Sequence, residues 1–366
     1  MIGPADLRRD PAAWDAFVEQ TEHGSYLQLD GWARVKAANG WAARRIVAGA
    51  SGTRIGMQLL LRRPWPLPWA FAYAPRGPVA ESWTTETVEE LTAAIRAARE
   101  ELGRISLVRI DPEVEADGPH DLGGALRAAL SAAGWTAAPS VQPPTSRVID
   151  LGGDEEALWS GLRKKWRQYV NRARSGGVTV VELPGDPIGP FYEIYRETAA
   201  RAGFLVRVEQ AYRDVYDAFR PAGRARVLFA VGPDGTALAS LFVVRCGRRV
   251  VEPYGGMTAS GAELRANYLL KWEAIRRSRE EGAEVYDLWG LAHPGIAHFK
   301  AGFGGREIHY VGGWDLVLDP VGRRVYETAQ RARVRWARSR AGLGRGSGAG
   351  ARAAAAGDEA AAGEDG

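Results

Sequence analysis

Short apolar runs separated by turns rich in Gly and Pro occur in two series along the chain. In the first series, Arg44–Ala48 reads as a strand that reaches a turn at Gly52-Thr53. A second strand, Ile55–Arg62, and the loop Tyr73-Ala74-Pro75-Arg76-Gly77-Pro78 follow. Helical spacing of apolar residues predicts a helix over Thr85–Leu102, and the run Ile105–Ile110 predicts a strand ending at Asp111. The second series repeats this order. Strand Val227–Val231 meets the turn Asp234-Gly235-Thr236, and strands Ala237–Arg245 and Val250–Pro253 follow, the latter ending at Tyr254-Gly255-Gly256. A helix over Glu263–Glu281 and a strand over Val285–Leu288 complete it.

A shared order of elements whose offset drifts points to a duplicated folding unit and not to a solenoid. A β-meander, a helix and a strand able to pair in parallel is the order of an acetyltransferase-like unit, so the expected class is α/β (α+β) with two such domains in tandem. Pro139, Pro143 and Pro144 mark a linker near 138–146, which predicts a first domain over 1–145 and a second over 146–314. Residues 341–366 are almost all Gly, Ala and small polar residues and read as a disordered tail.

Composition adds a chemical bias. The 366 residues carry 48 Lys+Arg against 44 Asp+Glu, a net charge of +4, yet only five of the cations are Lys: Lys36, Lys164, Lys165, Lys271 and Lys300. Where any positive charge suffices this chain uses Arg, so the retained lysines are the places to look for specific chemistry. A single cysteine, Cys246, excludes a disulfide framework and a Cys-based zinc site, and its place in an apolar run predicts burial. The first residues lack the charged start and apolar core of a secretory leader, and the most apolar stretch, Pro64 to Pro75, is too short to cross a bilayer. The expected location is cytoplasmic.

Five further segments occur in order along the chain. They are Tyr26-Leu27-Gln28-Leu29-Asp30-Gly31-Trp32-Ala33-Arg34-Val35-Lys36 with Gly40-Trp41, and Leu162-Arg163-Lys164-Lys165-Trp166-Arg167 through Gly176-Gly177-Val178. The next run from Tyr195 through Gly203-Phe204 to Arg207, and from Tyr268 through Lys271-Trp272-Glu273 to Trp289-Gly290. The last is Gly295-Ile296 with Phe299-Lys300-Ala301-Gly302-Phe303-Gly304-Gly305. Together they resemble the FemABX family of aminoacyl-tRNA-dependent peptidyltransferases, which build peptidoglycan cross-bridges; the resemblance covers roughly residues 25–318 and implies two acetyltransferase-like (GNAT-like) domains. With no heptad run in the chain, it implies the compact type without a coiled-coil arm, in which 315–340 returns to complete the first domain.

The reaction so implied is attack by a stem-peptide amine of a peptidoglycan precursor, lipid II or UDP-MurNAc-pentapeptide, on an amino acid such as Gly, Ala or Ser esterified to tRNA. The ester is already activated, so no metal or cofactor is expected beyond aminoacyl-tRNA as co-substrate. By the same resemblance, Lys300 lies near the transferred acyl group and steadies the oxyanion, and Phe299 stacks on the terminal adenosine. Their alternative is a surface Lys beside a core Phe. Lys36 and Arg207 are expected to contact the precursor's phosphates, with Tyr212 nearby and Tyr254 lining the cleft. The alternatives are a solvated helix end for Lys36, a salt bridge to Glu209 for Arg207 and a core strand end for Tyr254. Asp111, before Pro112, is a candidate to take or orient the amine's proton, or a turn-initiating Asp. Arg163, Lys164, Lys165 and Arg167 on a predicted helix, and the Arg-rich segment Arg323 to Arg345, suit contacts with tRNA or with the inner face of the membrane, or are solvated faces. His293, His298 and His309 lack zinc-site spacing and read as loop and strand residues. The rival readings are an acyl-CoA-dependent N-acyltransferase on the same fold and a non-catalytic binder of RNA or membrane surfaces. A monomer is expected.

Overall fold

The computed structural model describes residues 3–50, 52–118 and 121–340, and the expected tail over 341–366 lies outside the described residues. The chain forms two compact units, one over residues 1–144 and again from His309, the other over 145–308. Each is built on a seven-stranded mixed sheet. In the first unit lie β1 (Ala42–Ala48), β2 (Ile55–Arg62), β3 (Ala70–Ala74), β4 (Val79–Ala80), β5 (Ile105–Ile110) and β6 (Thr136–Ala138). The second holds β7 (Thr145–Asp150), β8 (Thr179–Val181), β9 (Ala225–Val231), β10 (Ala237–Cys246), β11 (Arg249–Met257), β12 (Val285–Gly290) and β13 (Arg306–His309). The last strand, β14 (Gly313–Val317), belongs to the first sheet.

The strand orders reveal the duplication. The first sheet reads β1-β2-β3-β5-β14-β6, with β4 against β2, and the second reads β9-β10-β11-β12-β7-β13, with β8 beyond β9. In both, the third and fourth strands of this run are parallel, β3 with β5 and β11 with β12. A crossover helix joins each parallel pair, Thr85–Ala97 in the first unit and Ala266–Glu280 in the second. The fold is thus α/β with tandem acetyltransferase-like units. The fifth strand of each run comes from far away in the chain: β14 pairs with β5 from the C-terminal side, β7 with β12 from the N-terminal side.

Both cores follow from the apolar runs. Helix Thr85–Ala97 is capped by Thr84, whose Oγ1 accepts from Thr87 N–H at 3.1 Å, and turns Val88, Leu91 and Ile95 onto Ile46, Leu59 and Val108. Helix Ala266–Glu280 buries Leu269, Leu270 and Trp272 against Leu228, Leu241, Val243 and Val250. Its start corrects the expected helix over Glu263–Glu281: Arg265, at φ +60°, separates it from a short helix Ala259–Glu263. The other expected helix, Thr85–Leu102, is also two helices, the second over Arg99–Leu102.

The expected loop at Tyr73 and strand end at Tyr254 are corrected as well. Both tyrosines lie within strands, because the antiparallel ladders continue through Leu60↔Tyr73 and through Phe242↔Tyr254 to Ala239↔Met257. Past Tyr254 the chain runs so close to helix Ile188–Ala202 that a Cβ on Gly256 would lie 2.6 Å from Thr198 Oγ1.

Candidate active site

The second unit concentrates the candidate chemistry where its parallel strands part. The β11–β12 ladder runs only from Arg249↔Val285 to Val251↔Asp287, although the strands continue to Met257 and Gly290. The C-terminal ends of parallel strands are where α/β sheets commonly take ligands. A bulge accompanies the parting. Opposite β10, Val244 faces Val251 but Phe242 faces Tyr254, so one extra residue sits at Glu252-Pro253, and Pro253 has no N–H to waste there.

The bulge sends neighbouring side chains to different faces. Glu252 stays on the face of Val250 and helix Ala266–Glu280, where it forms an ion pair with Lys271 and accepts from the Tyr286 hydroxyl at 2.8 Å. All three residues are buried. Burial, and then the Glu252 carboxylate, push the Tyr286 phenol well above its ordinary value. Tyr254 emerges on the other face, with ring centroids 5.0 Å from Tyr212 and 6.1 Å from Tyr195. The Tyr212 hydroxyl accepts from Arg207 N–H at 3.3 Å, and burial with the adjacent Tyr195 and Tyr254 raises its pKa. Glu209, the alternative partner considered for Arg207, pairs with Arg213 at 2.7 Å.

Lys300 sits beside the Glu252 set. It lies in helix Pro294–Ala301, with Pro294 at the first position and His293 Nδ1 accepting from Ile296 N–H at 3.3 Å. This places His298 in a helix and corrects its reading as a loop or strand residue. A Cβ on Gly302 would lie 2.2 Å from the Trp166 ring, so only glycine lets the helix end dock there. The Lys300 ammonium donates to the Gly290 carbonyl at 2.7 Å and the Trp289 carbonyl at 3.2 Å. Those carbonyls are held by a turn in which Asp287 Oδ1 accepts from Ser146 Oγ and from Trp289 N–H, the latter at 2.7 Å, with Trp289 at φ +61°. A left-handed Trp costs about 1–2 kcal/mol, which the Asp287 bond offsets. Burial above all, with the Lys271 charge, lowers the Lys300 pKa to about 8 against the opposing Glu252 and Asp287 carboxylates. Phe299 packs edge-on to Tyr268 and Phe303, each 5.3 Å away, and its ring lies 5.7 Å from the Lys271 ammonium.

The basic helix spans Lys164–Ser175. Lys164 and Lys165 are exposed in its first turn, and Lys165 lies 5.7 Å from the Tyr169 ring. Arg163 contacts the His298 ring at 3.3 Å and the Trp166 ring at 5.7 Å. Arg167 is already engaged: it donates to the Ser160 and Leu162 carbonyls at 2.7 and 3.0 Å and so closes the end of helix Glu155–Gly161.

Lys36 and Asp111 belong to the first unit. Lys36 is 1% exposed, within helix Asp30–Ala37 and 4.9 Å from the Trp32 ring, which replaces the solvated helix end with a buried ammonium. Asp111 is 2% exposed and accepts from Tyr73 Oη and Arg76 N at 2.8 Å and from Gln142 N at 2.9 Å. Burial raises its pKa, while the Arg76 charge and these donors oppose the rise. Here the parallel pair does not part: β3 and β5 stay paired to their last residues, Ala74↔Ile110, and Asp111 ties the end shut.

The sequence reading passed over the Lys271–Glu252–Tyr286 set, the Asp287 turn and Arg76. Lys271 carried a signal, being one of five retained lysines. The others are long-range pairings without a local mark.

A family model described as the FemAB family matches residues 10–232 and 224–331. The lipid II:glycine glycyltransferase of Staphylococcus saprophyticus is 25% identical, with 84% of this chain and 91% of that protein covered. The protein of the same name from Staphylococcus aureus strain MRSA252 is 31% identical over 227 residues, with 60% of this chain and 53% of that protein covered. Among solved structures, the crystal structure of FemX superposes with a TM-score of 0.77 at 22% identity, covering 87% of this chain and 98% of that one.

Proposed function

The chain belongs to the FemAB family, and from that premise we propose that it is an aminoacyltransferase that moves a glycyl group from tRNA to the stem-peptide amine of lipid II. The names of the two staphylococcal relatives support glycine as the group and lipid II as the acceptor. The observation that carries the site assignment is the Lys300 ammonium, held by two main-chain carbonyls where β11 and β12 part.

In this reading the amine nitrogen attacks the ester carbonyl. A C–N bond forms, the C–O bond to the ribose breaks, the amine loses a proton and the ribose oxygen gains one. Lys300 balances the oxyanion of the tetrahedral intermediate, and its two carbonyl partners fix the ammonium before the substrate arrives. Glu252 and Lys271 set the charge around it. Phe299 borders the donor's terminal base. Lys36 and Arg207 are assigned, each within its own unit, to phosphate groups of the substrates. Asp111, buried and held by three donors, is assigned to positioning the Arg76 turn and not to exchanging the reacting proton. Lys164 and Lys165 contact the tRNA backbone.

The test is transfer of labelled glycine from glycyl-tRNA to lipid II. Label on lipid II that disappears after RNase treatment of the donor is the expected result. RNase-insensitive transfer, or transfer fed by an acyl-CoA alone, overturns the reading.

A further inference from the structure

The loop between β2 and β3 carries Trp65, whose side chain is 92% exposed, the most exposed large hydrophobic among the described residues. The loop beneath it is fixed. Leu67 N–H donates to the Pro64 carbonyl at 2.8 Å, and Trp69 Nε1 donates to Asp319 Oδ2 at 2.8 Å. Phe71, at the start of the following strand, stacks on Tyr326 of the C-terminal helix Pro320–Arg340 with centroids 4.7 Å apart. Trp65 is therefore held outward from a base clamped to that helix.

Its surroundings are apolar and cationic together. Val321, in the first turn of the helix, is 60% exposed, and the adjoining Gly322 lies so close to Trp69 that a Cβ there would be 2.6 Å from the ring. Arg63 and Arg324 are exposed, and the exposed Arg104 lies 4.9 Å over the Trp69 ring. The nearby Asp319 is already spent on Trp69 and on the N–H groups of Val321 and Gly322. The helix sequence from Pro320 to Arg340 holds seven Arg against one Glu.

The geometry points to a docking surface for an anionic phospholipid bilayer, with Trp65 and Val321 entering the headgroup region and the arginines meeting lipid phosphates. Trp is suited to the boundary between water and hydrocarbon, and each nearby cation adds attraction to an anionic leaflet. A nucleic acid is the poorer occupant, because an aliphatic Val finds no stacking partner on a base. This surface belongs to the first unit alone and stands whether or not glycyl transfer is observed.

Flotation of the full chain with vesicles tests it. Vesicles of phosphatidylcholine with a third phosphatidylglycerol are expected to carry the protein, and pure phosphatidylcholine vesicles far less. Trp65→Ser, at a site that packs on nothing, is expected to keep the parent's melting temperature and to lower partition about tenfold. Arg63→Ser is expected to lower it about fivefold. Failure of the parent to float with the anionic vesicles overturns the proposal. So does flotation of Trp65→Ser equal to the parent's, whether or not that variant's binding to tRNA falls.

Discussion

Lys300 is the residue on which charge and geometry converge. Two carbonyls hold its ammonium in place while burial lowers its pKa to about 8. The group is charged below that pH and loses its proton above it. If the charge steadies the oxyanion, the transfer rate falls as pH rises through about 8. Lys300→Arg, which stays charged, is expected to move that alkaline limb upward, and Lys300→Ala to cut the rate about a hundredfold or more. A pH–rate profile of the three proteins checks this; an unchanged limb in Lys300→Arg removes Lys300 as its source. Asp111 illustrates the opposite case. Its carboxylate accepts three bonds in a closed interior, so Asp111→Asn is expected to cost about 2 kcal/mol of stability, read as a lowered denaturant midpoint. In the sequence, lysine scarcity marked Lys300 only as one of five lysines, and its proposed role came from the resemblance of the segment Phe299–Gly305. The reason for burying Lys36 was not legible, since a helix-end lysine looks the same whether it faces water or Trp32.

At the level of elements, the bulge at Glu252-Pro253 decides which groups share a face. It leaves Glu252 against Lys271 and sends Tyr254 to Tyr212. Lys271→Met alone strands a buried carboxylate and is expected to cost about 3 kcal/mol or more, whereas the double variant with Glu252→Gln recovers a large part of it. Equilibrium denaturation of the two singles and the double measures the coupling; additive losses contradict a direct pair. Gly256→Ala must push against Thr198 and is expected to destabilise by about 1–3 kcal/mol in the same assay. Strands β9, β10 and β12 were legible as apolar runs bounded by turns. The bulge was not, because the extra residue shows only once β10 lies beside β11.

For the whole molecule, the duplication was readable from the repeated element order, and in the second half so were both strands of the parallel pair; in the first half β3, the partner of β5, read as a loop. What the order cannot carry is the source of the fifth strand in each run, since β7 and β14 find their partners, β12 and β5, far away along the chain. This asymmetry has a consequence for folding. All seven strands of the second sheet come from residues 145–309, whereas the first sheet needs β14 between β5 and β6. A fragment over 145–309 is expected to melt cooperatively by circular dichroism and one over 1–144 to lack a cooperative transition. Two cooperative fragments would contradict the role given to β14.

The units also differ in chemistry: the first keeps its parallel pair closed at Asp111, and the second opens beyond Val251 and Asp287 beside Lys300. We propose that this opening serves glycyl transfer from tRNA. Mass spectrometry of lipid II after incubation with the enzyme and glycyl-tRNA tests it most directly. A product heavier by one or more glycyl residues, absent with Lys300→Ala, is the expected result. Unmodified lipid II with glycyl-tRNA, or an acyl group gained from an acyl-CoA in its place, would contradict it.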